Sequence, residues 1–203
     1  MATTLHTEAM AWLRYSLRMP LVCTEAGYWN ADVIGADDKR CIEVEVKKSR
    51  ADFLNDFRSK VFKHKTYANL APDGISIWSP AFFYYFVPQE LGSGCLATLD
   101  EMGIKHAGLA TLDMSSLKAY SAGKHVTVLR RAPRLHNKKP HPKLVRSIQM
   151  RMGSELTTLR LVLENLKKAT PEQAAIVIAE AVQLSKLLVD AKDWESDEAP
   201  PAG

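Results

Sequence analysis

Along residues 41–47, CIEVEVK, apolar and polar positions alternate strictly, which is the period of an extended strand. Ile42, Val44 and Val46 fall on one side, Cys41, Glu43, Glu45 and Lys47 on the other. The β-branched side is a core face. The other side sets two carboxylates and an ammonium within one strand length, which suits either a solvated edge strand or a site for a metal and a phosphate. LVCTEAGY at 21–28 and ADVIG at 31–35 precede this run across short polar links, so the three predict a meander with Asp32 beside the charged face. Before the meander, TEAMAWLRYSLRM places Ala9, Trp12, Leu13, Ser16 and Leu17 on one helical stripe, with Thr7 as its cap and Pro20 as its stop.

After the charged strand the period changes. Ser49 and Asp52 have capping-box spacing, with aspartate for the usual glutamate, and Phe53, Phe57, Lys60 or Val61, His64 and Tyr67 or Ala68 recur at helical intervals. A helix is expected over about 50–69. GISIWSP, FFYYFVP, HAGLATLD and HVTVLRRAP then supply further strands. The segment 130–143, RRAPRLHNKKPHPK, holds three prolines, six Lys or Arg and two His, the composition of a basic linker. Beyond it Leu144, Ile148, Met152, Leu156, Leu159, Leu163 and Leu166 step by three or four along one helix, and TPEQ at 170–173 opens a second with a Thr cap and Gln three residues on. These two helices form a hairpin that packs within the chain or against a second copy. The divisions expected are a core over 1–133, the linker at 134–143, the hairpin at 144–193 and a disordered acidic tail at 194–203.

Composition narrows the classes. With 203 residues, 46% hydrophobic and 25% charged, the chain is long enough for one substantial core and is not disordered as a whole. A net charge of +4 is compatible with nucleic acid but does not require it. Cys23, Cys41 and Cys95 lie far apart without a CxxC pair, which speaks against a disulfide framework or a zinc ribbon and fits a cytoplasmic protein. The longest apolar run, AFFYYFV, is too short to span a bilayer, and the N-terminus lacks a signal-peptide pattern. No Ser-His-Asp or Cys-His arrangement, glycine-rich phosphate loop or histidine pair at metal-ligand spacing occurs.

The constellation that remains is Asp32, then Glu45 and Lys47 as E-x-K on the adjacent strand. Two such carboxylates can hold a hard cation such as Mg2+ or Mn2+, which supplies Lewis acidity toward phosphate and water, while the lysine orients the nucleophile and stabilises developing charge. That is the chemistry of phosphodiester hydrolysis. Meander, E-x-K strand and following helix resemble the core of the PD-(D/E)xK nuclease superfamily. Within it, IEVEVKKSRADFLNDFRSK is similar to the signature of the MmcB-like DNA repair proteins.

The resemblance covers roughly residues 20–130 and takes in TEAGYWNADVIG, FYYFVP, HAGLATLD and VTVLRRAP. It implies an α/β, restriction-endonuclease-like core with the helical hairpin outside it, and a Mg2+-dependent (or Mn2+-dependent) deoxyribonuclease acting in DNA repair, recombination or phage or host DNA processing. It implies Asp32 and Glu45 as metal ligands, Glu25 as an assisting acidic residue and Lys47 as the catalytic lysine. The chain departs from the pattern at Ala31, where many members have proline, and at the additional Glu43. Glu43 is a reserve ligand whose plainer reading is a solvated or lysine-paired strand residue; Glu8 on the first helix, where the wider superfamily sometimes supplies an acidic residue, is equally a first-turn charge and stays outside the proposed set.

Lys48, Arg50, Lys60, Lys63, Lys65, Lys138 and Lys139 are the candidate contacts to nucleic-acid phosphates. Lys60 is also placed to pair with Asp56 at i, i+4. The rival to a nuclease is a catalytically silent DNA-binding or accessory protein that recruits partners through its C-terminal helices. A third reading is an interaction module without a nucleic-acid partner.

Overall fold

The computed structural model describes residues 2–27, 29–69, 78–115, 123–170, 173, 174 and 176. Helix α1 (Ala2–Ala11) runs on into a π-helical turn (Trp12–Ser16), so it begins before Thr7. Thr7 and Glu8 therefore lie inside the helix and not at its cap, and Glu8 is buried. Strands β1 (Leu21–Ala26), β2 (Ala31–Ala36) and β3 (Cys41–Val46) form the expected antiparallel meander. Helices α2 (Arg50–Ser59) and α3 (Val61–Ala68) follow, then β4 (Phe82–Pro88), a 3-10 turn (Gln89–Leu91), α4 (Gly92–Glu101), β5 (Ala107–Leu112), β6 (Val126–Arg130) and α5 (Pro142–Lys168).

The six strands make one mixed sheet in sequence order. β3, β4 and β5 are parallel neighbours, and β6 returns antiparallel to β5. Alternation along each strand sorts side chains between two cores. Ile42, Val44, Val46 and Phe86 pack with Leu5, Ala9, Trp12 and Leu13 on the α1 face. Phe83, Tyr85 and Val87 pack with Phe53, Tyr67, Cys95 and Leu99 on the face covered by α2, α3 and α4. β3 is thus an interior strand with all six residues buried, which rules out the solvated-edge reading of its charged side.

The helix expected over 50–69 is broken in two. Lys60, at φ −112° and ψ 38°, ends α2 and begins α3. At the start of α2 the Ser49 hydroxyl accepts from the Asp52 amide at 3.1 Å, and Asp52 accepts from the Lys48 amide at 3.2 Å. The shorter aspartate thus closes the capping box one residue earlier than glutamate does. α4 lies between two expected strands where no helix is expected, and the two glycines of its first turn, GSG, weaken its helical signal. Of GISIWSP, residues 74–77 lie outside the described residues and 78–80 form no strand.

The chain divides into two units, residues 1–148 and 149–203. The segment expected to be a linker belongs to the first unit. The Leu135 amide donates to the Ala81 carbonyl at 2.9 Å, His136 is buried with Nε2 3.0 Å from the Ser79 carbonyl, and Arg134 lies over the Phe82 ring. Lys138 and Lys139 stay exposed. In the second unit the stripe residues Leu156, Leu159 and Leu163 of α5 are exposed. The TPEQ cap forms as expected: the Thr170 amide donates to Gln173 at 3.0 Å, and the Gln173 amide to the Thr170 hydroxyl at 3.4 Å. The rest of the second hairpin helix and the acidic tail lie outside the described residues. Among the described residues no helix is long and apolar enough to cross a membrane.

Candidate functional site

The pairing Val33↔Val44, continued by one step, sets Asp32 opposite Glu45 across the β2–β3 ladder. Antiparallel partners share a face, so the two carboxylates point toward α2 and α3. The Asp32 carboxylate accepts the Val46 amide at 2.7 Å, which leaves its second oxygen for another partner. On β1 Glu25 is level with Asp32, but at φ 50° it interrupts the ladder between the pairs Thr24↔Val33 and Ala26↔Ala31. Asp32 and Glu45 therefore come together on neighbouring strands, and Glu25 stands on the next strand without joining them in a metal-binding group.

Glu45 has no solvent exposure and is surrounded by lysines. Lys47 Nζ lies 3.2 Å from one oxygen, Lys60 Nζ bridges both oxygens at 2.8 and 2.9 Å, and Lys63 Nζ lies 2.5 Å from the other. Lys63 also pairs with Glu43 at 2.5 Å and is wholly buried, so it is an internal counter-ion, not the phosphate contact expected of it. Lys65, two residues on, is exposed and lines a different cleft. Lys48 and Arg50 stand exposed at the corner after β3. Glu43 is settled as lysine-paired, and its other oxygen accepts the Tyr67 hydroxyl at 2.8 Å.

The residue that sequence reasoning missed is Asp56. The pairing with Lys60 that its spacing predicts forms at 3.4 Å, but the carboxylate is buried and lies 2.6 Å from Lys47. Its second oxygen accepts the Tyr85 hydroxyl at 2.8 Å and His64 Nε2–H at 3.0 Å. His64 Nδ1 is then the acceptor, and His106 Nε2–H donates to it at 3.1 Å. The signal was present in the D-F-x-x-D string, which puts Asp56 three residues after the core residue Phe53 and on the same helical face.

The charges respond to this enclosure. Burial opposes ionisation of Glu45, but Lys63 and Lys60 outweigh it and hold the carboxyl below its usual range. Asp56 is likewise held low, since the His64 hydrogen bond and the Lys47 charge override burial. Burial would lower Lys47 and Lys63, yet both are raised, Lys47 by Glu45 and Asp56 and Lys63 by Glu43 and Glu45. Asp32 is the exception: burial, then the nearby Glu45 charge, raise its pKa despite the Val46 amide. His106 is pushed down to about 4, first by burial and then by neighbouring groups that include the Arg130 and Lys63 charges, so it is neutral. The Cys41 and Cys95 thiols are raised by burial, Cys95 to about 11, which makes neither a ready nucleophile.

The donor set fits a hard cation in kind, since Asp32 and Glu45 offer oxygens and, at Asp32, burial and the Glu45 charge outweigh the Lys47 and Lys60 charges. Among the described residues no group of three or more His, Cys, Asp or Glu is gathered to hold a metal ion. Glu45 is met instead by the Lys60 ammonium, whose side chain is 31% exposed. The raised Asp32 has a consequence for stability. A carboxylate whose folded pKa exceeds its unfolded value stabilises at low pH, and that contribution is lost as pH rises through the folded value. Asp32→Asn, whose amide oxygen can still accept from Val46, should therefore be more stable than the wild type at pH 7 without divalent cations, measured as a higher urea midpoint.

These features define an α/β protein with a mixed six-stranded sheet and a buried carboxylate–lysine cluster at one strand corner. No protein-family model and no curated protein matches the chain. A solved structure described as the SPO1766 protein of unknown function from Silicibacter pomeroyi aligns with it at 19% identity and a TM-score of 0.49, over 77% of this chain and 88% of that one.

Proposed function

We propose that this chain is a metal-dependent deoxyribonuclease built on a restriction-endonuclease-like core, of the kind the MmcB-like signature implies. The order of helix, antiparallel three-stranded meander, helices and then a strand parallel to the third supports that core. The observation that carries the function is Asp32 opposite Glu45 with Lys47 ion-paired at the end of the same strand. Asp32 and Glu45 would hold Mg2+ or Mn2+, with Glu25 assisting from β1. When bound, the cation supplies Lewis acidity toward the scissile phosphate and the attacking water. Asp56 and Glu45 keep the Lys47 ammonium charged and fix its direction, so it orients the water and meets the developing charge. Lys48 and Arg50 contact the phosphate backbone at the exposed corner, and Lys60, once displaced from Glu45, joins them. Lys138 and Lys139 extend the backbone contact, and the C-terminal helices pair two copies so that two strands can be cut.

The test is cleavage of labelled single-stranded, duplex and branched DNA with Mg2+ or Mn2+, comparing the wild type with Asp32→Ala, Glu45→Ala and Lys47→Ala proteins of verified fold. Cleavage should fall about 10³-fold or more in each, the scale of a lost charge-stabilising group. A second reading rests on the three lysines that enclose Glu45, one of them wholly buried. In it the cluster is a permanent structural lock, and the protein binds DNA or a repair partner without cutting. Binding to these DNAs without cleavage or cation uptake would favour it.

A further inference from the structure

Behind His64, on the side away from Asp56, lies a cleft of about 720 Å³ that the proposed reaction does not use. Its walls come from the C-terminal half of α3, the turn between α4 and β5, and the basic segment after β6. Three cations rim it, Lys65, Lys105 and Arg134, all exposed, and among the described residues no carboxylate lines it. Its polar wall is the buried pair His64 and His106, and its apolar wall includes Ile104 and Leu135.

Two of these parts are preset. Arg134 lies 5.0 Å above the Phe82 ring, and the neighbouring Leu135 is pinned by its amide to the Ala81 carbonyl at 2.9 Å. The Phe82 ring lies outside the cleft lining, so the stacking holds Arg134 at the rim, where its guanidinium stands with the Lys65 and Lys105 ammoniums as the groups that can meet a phosphate. The volume falls in the range of small-ligand sites and is ample for one nucleotide. Neutral His106 offers a hydrogen-bonding ring next to apolar surface, which matches a sugar and base better than a second phosphate.

The geometry points to a binding site for a nucleotide-sized phosphate ester, its phosphate held by Arg134, Lys65 and Lys105 and its base and sugar lying against His106, Ile104 and Leu135. The same chemistry is presented by a free 5′-mononucleotide and by the 5′-phosphorylated end of a strand. The site does not depend on the metal reading, because its walls share no residue with Asp32, Glu45 or Lys47.

The test is calorimetric titration of the full chain in EDTA with thymidine 5′-monophosphate, and with a short oligonucleotide carrying either a 5′-phosphate or a 5′-hydroxyl. Saturable binding of the mononucleotide, or of the 5′-phosphorylated oligonucleotide in preference to the 5′-hydroxyl one, is expected and distinguishes the two sources. Affinity should fall tenfold or more in Lys105→Glu and in Arg134→Glu. It should be unchanged in Lys39→Glu, in the β2–β3 turn, and in Asp32→Asn, so failure of the nuclease reading leaves this result standing. Three results would overturn the assignment: no saturable binding of any probe, equal binding in the cleft variants, or inorganic phosphate competing as well as the mononucleotide.

Discussion

Lys63→Met should destabilise the protein by about 3–5 kcal/mol, the cost of leaving buried charge without its partner. Lys63 is the only contact that joins Glu43 and Glu45 among the described residues, at 2.5 Å to each, and all three side chains are buried. Methionine fills most of the lysine's volume, so the loss reports charge and not a cavity. Against a typical total of about 5–15 kcal/mol it is a large fraction, and the melting temperature should fall by about 10 °C. The deficit has a pH signature. With the ammonium gone Glu45 loses the largest positive charge that holds its carboxyl low, so the deficit of the variant against the wild type shrinks as pH falls. Urea unfolding at pH 5 and pH 7 checks this, and adding Glu43→Gln, which still accepts from Tyr67, should restore part of the loss. Equal stability of wild type and Lys63→Met at pH 7 would mean that the cluster is solvated and not enclosed.

Asp56→Ala should cost a similar amount and, in protein that still folds, should also slow cleavage by about 100-fold, as a displaced reacting group does. The carboxylate ties Lys47 at the end of β3, His64 from α3 and Tyr85 from β4 to one point, so its loss removes the acceptor that all three share inside the sheet–helix layer. The pH dependence here runs the other way. A carboxyl held below its ordinary value contributes stability above its unfolded pKa of about 4, and this is lost as pH falls through the folded value. The wild type should therefore lose stability on acidification below about pH 4 more steeply than Asp56→Asn does. Denaturant titrations across that range check the slope. A drop in turnover at unchanged substrate affinity would separate the positioning of Lys47 from simple loss of DNA binding.

Strict alternation made β3 and its two faces legible in the sequence, and the short polar links gave β1 and β2, because period and turn chemistry are local properties. Asp32, Glu45 and Lys47 could be brought together on that basis alone. What local pattern could not carry was the third dimension. Lys63 and Lys65 look alike in the sequence, yet the break at Lys60 turns the first inward to Glu45 and leaves the second at a separate cleft. Asp56 was read by its i, i+4 distance to Lys60, whereas its environment is set by β4 and by Lys47, both distant along the chain. The basic segment after β6 looked like a linker because proline and lysine are typical of solvated chain. Its burial rests on Leu135 and His136 meeting residues 79–81, which only the sheet order makes neighbours. The helical signal of α4 is weakened by glycines in its first turn, and its apolar face matters only once β5 lies beneath it.

The claim on which the function depends is that a divalent cation binds between Asp32 and Glu45 and displaces Lys60. The most direct measurement is Mn2+ binding, followed by its electron paramagnetic resonance signal, in the wild type, Asp32→Asn, Glu45→Gln and Lys60→Ala. One saturable site in the wild type, lost in Asp32→Asn and Glu45→Gln and tighter in Lys60→Ala, is the expected result. Absence of saturable binding in the wild type and in Lys60→Ala alike, or binding that survives both carboxylate changes, would contradict it and leave the lysine cluster as a structural lock.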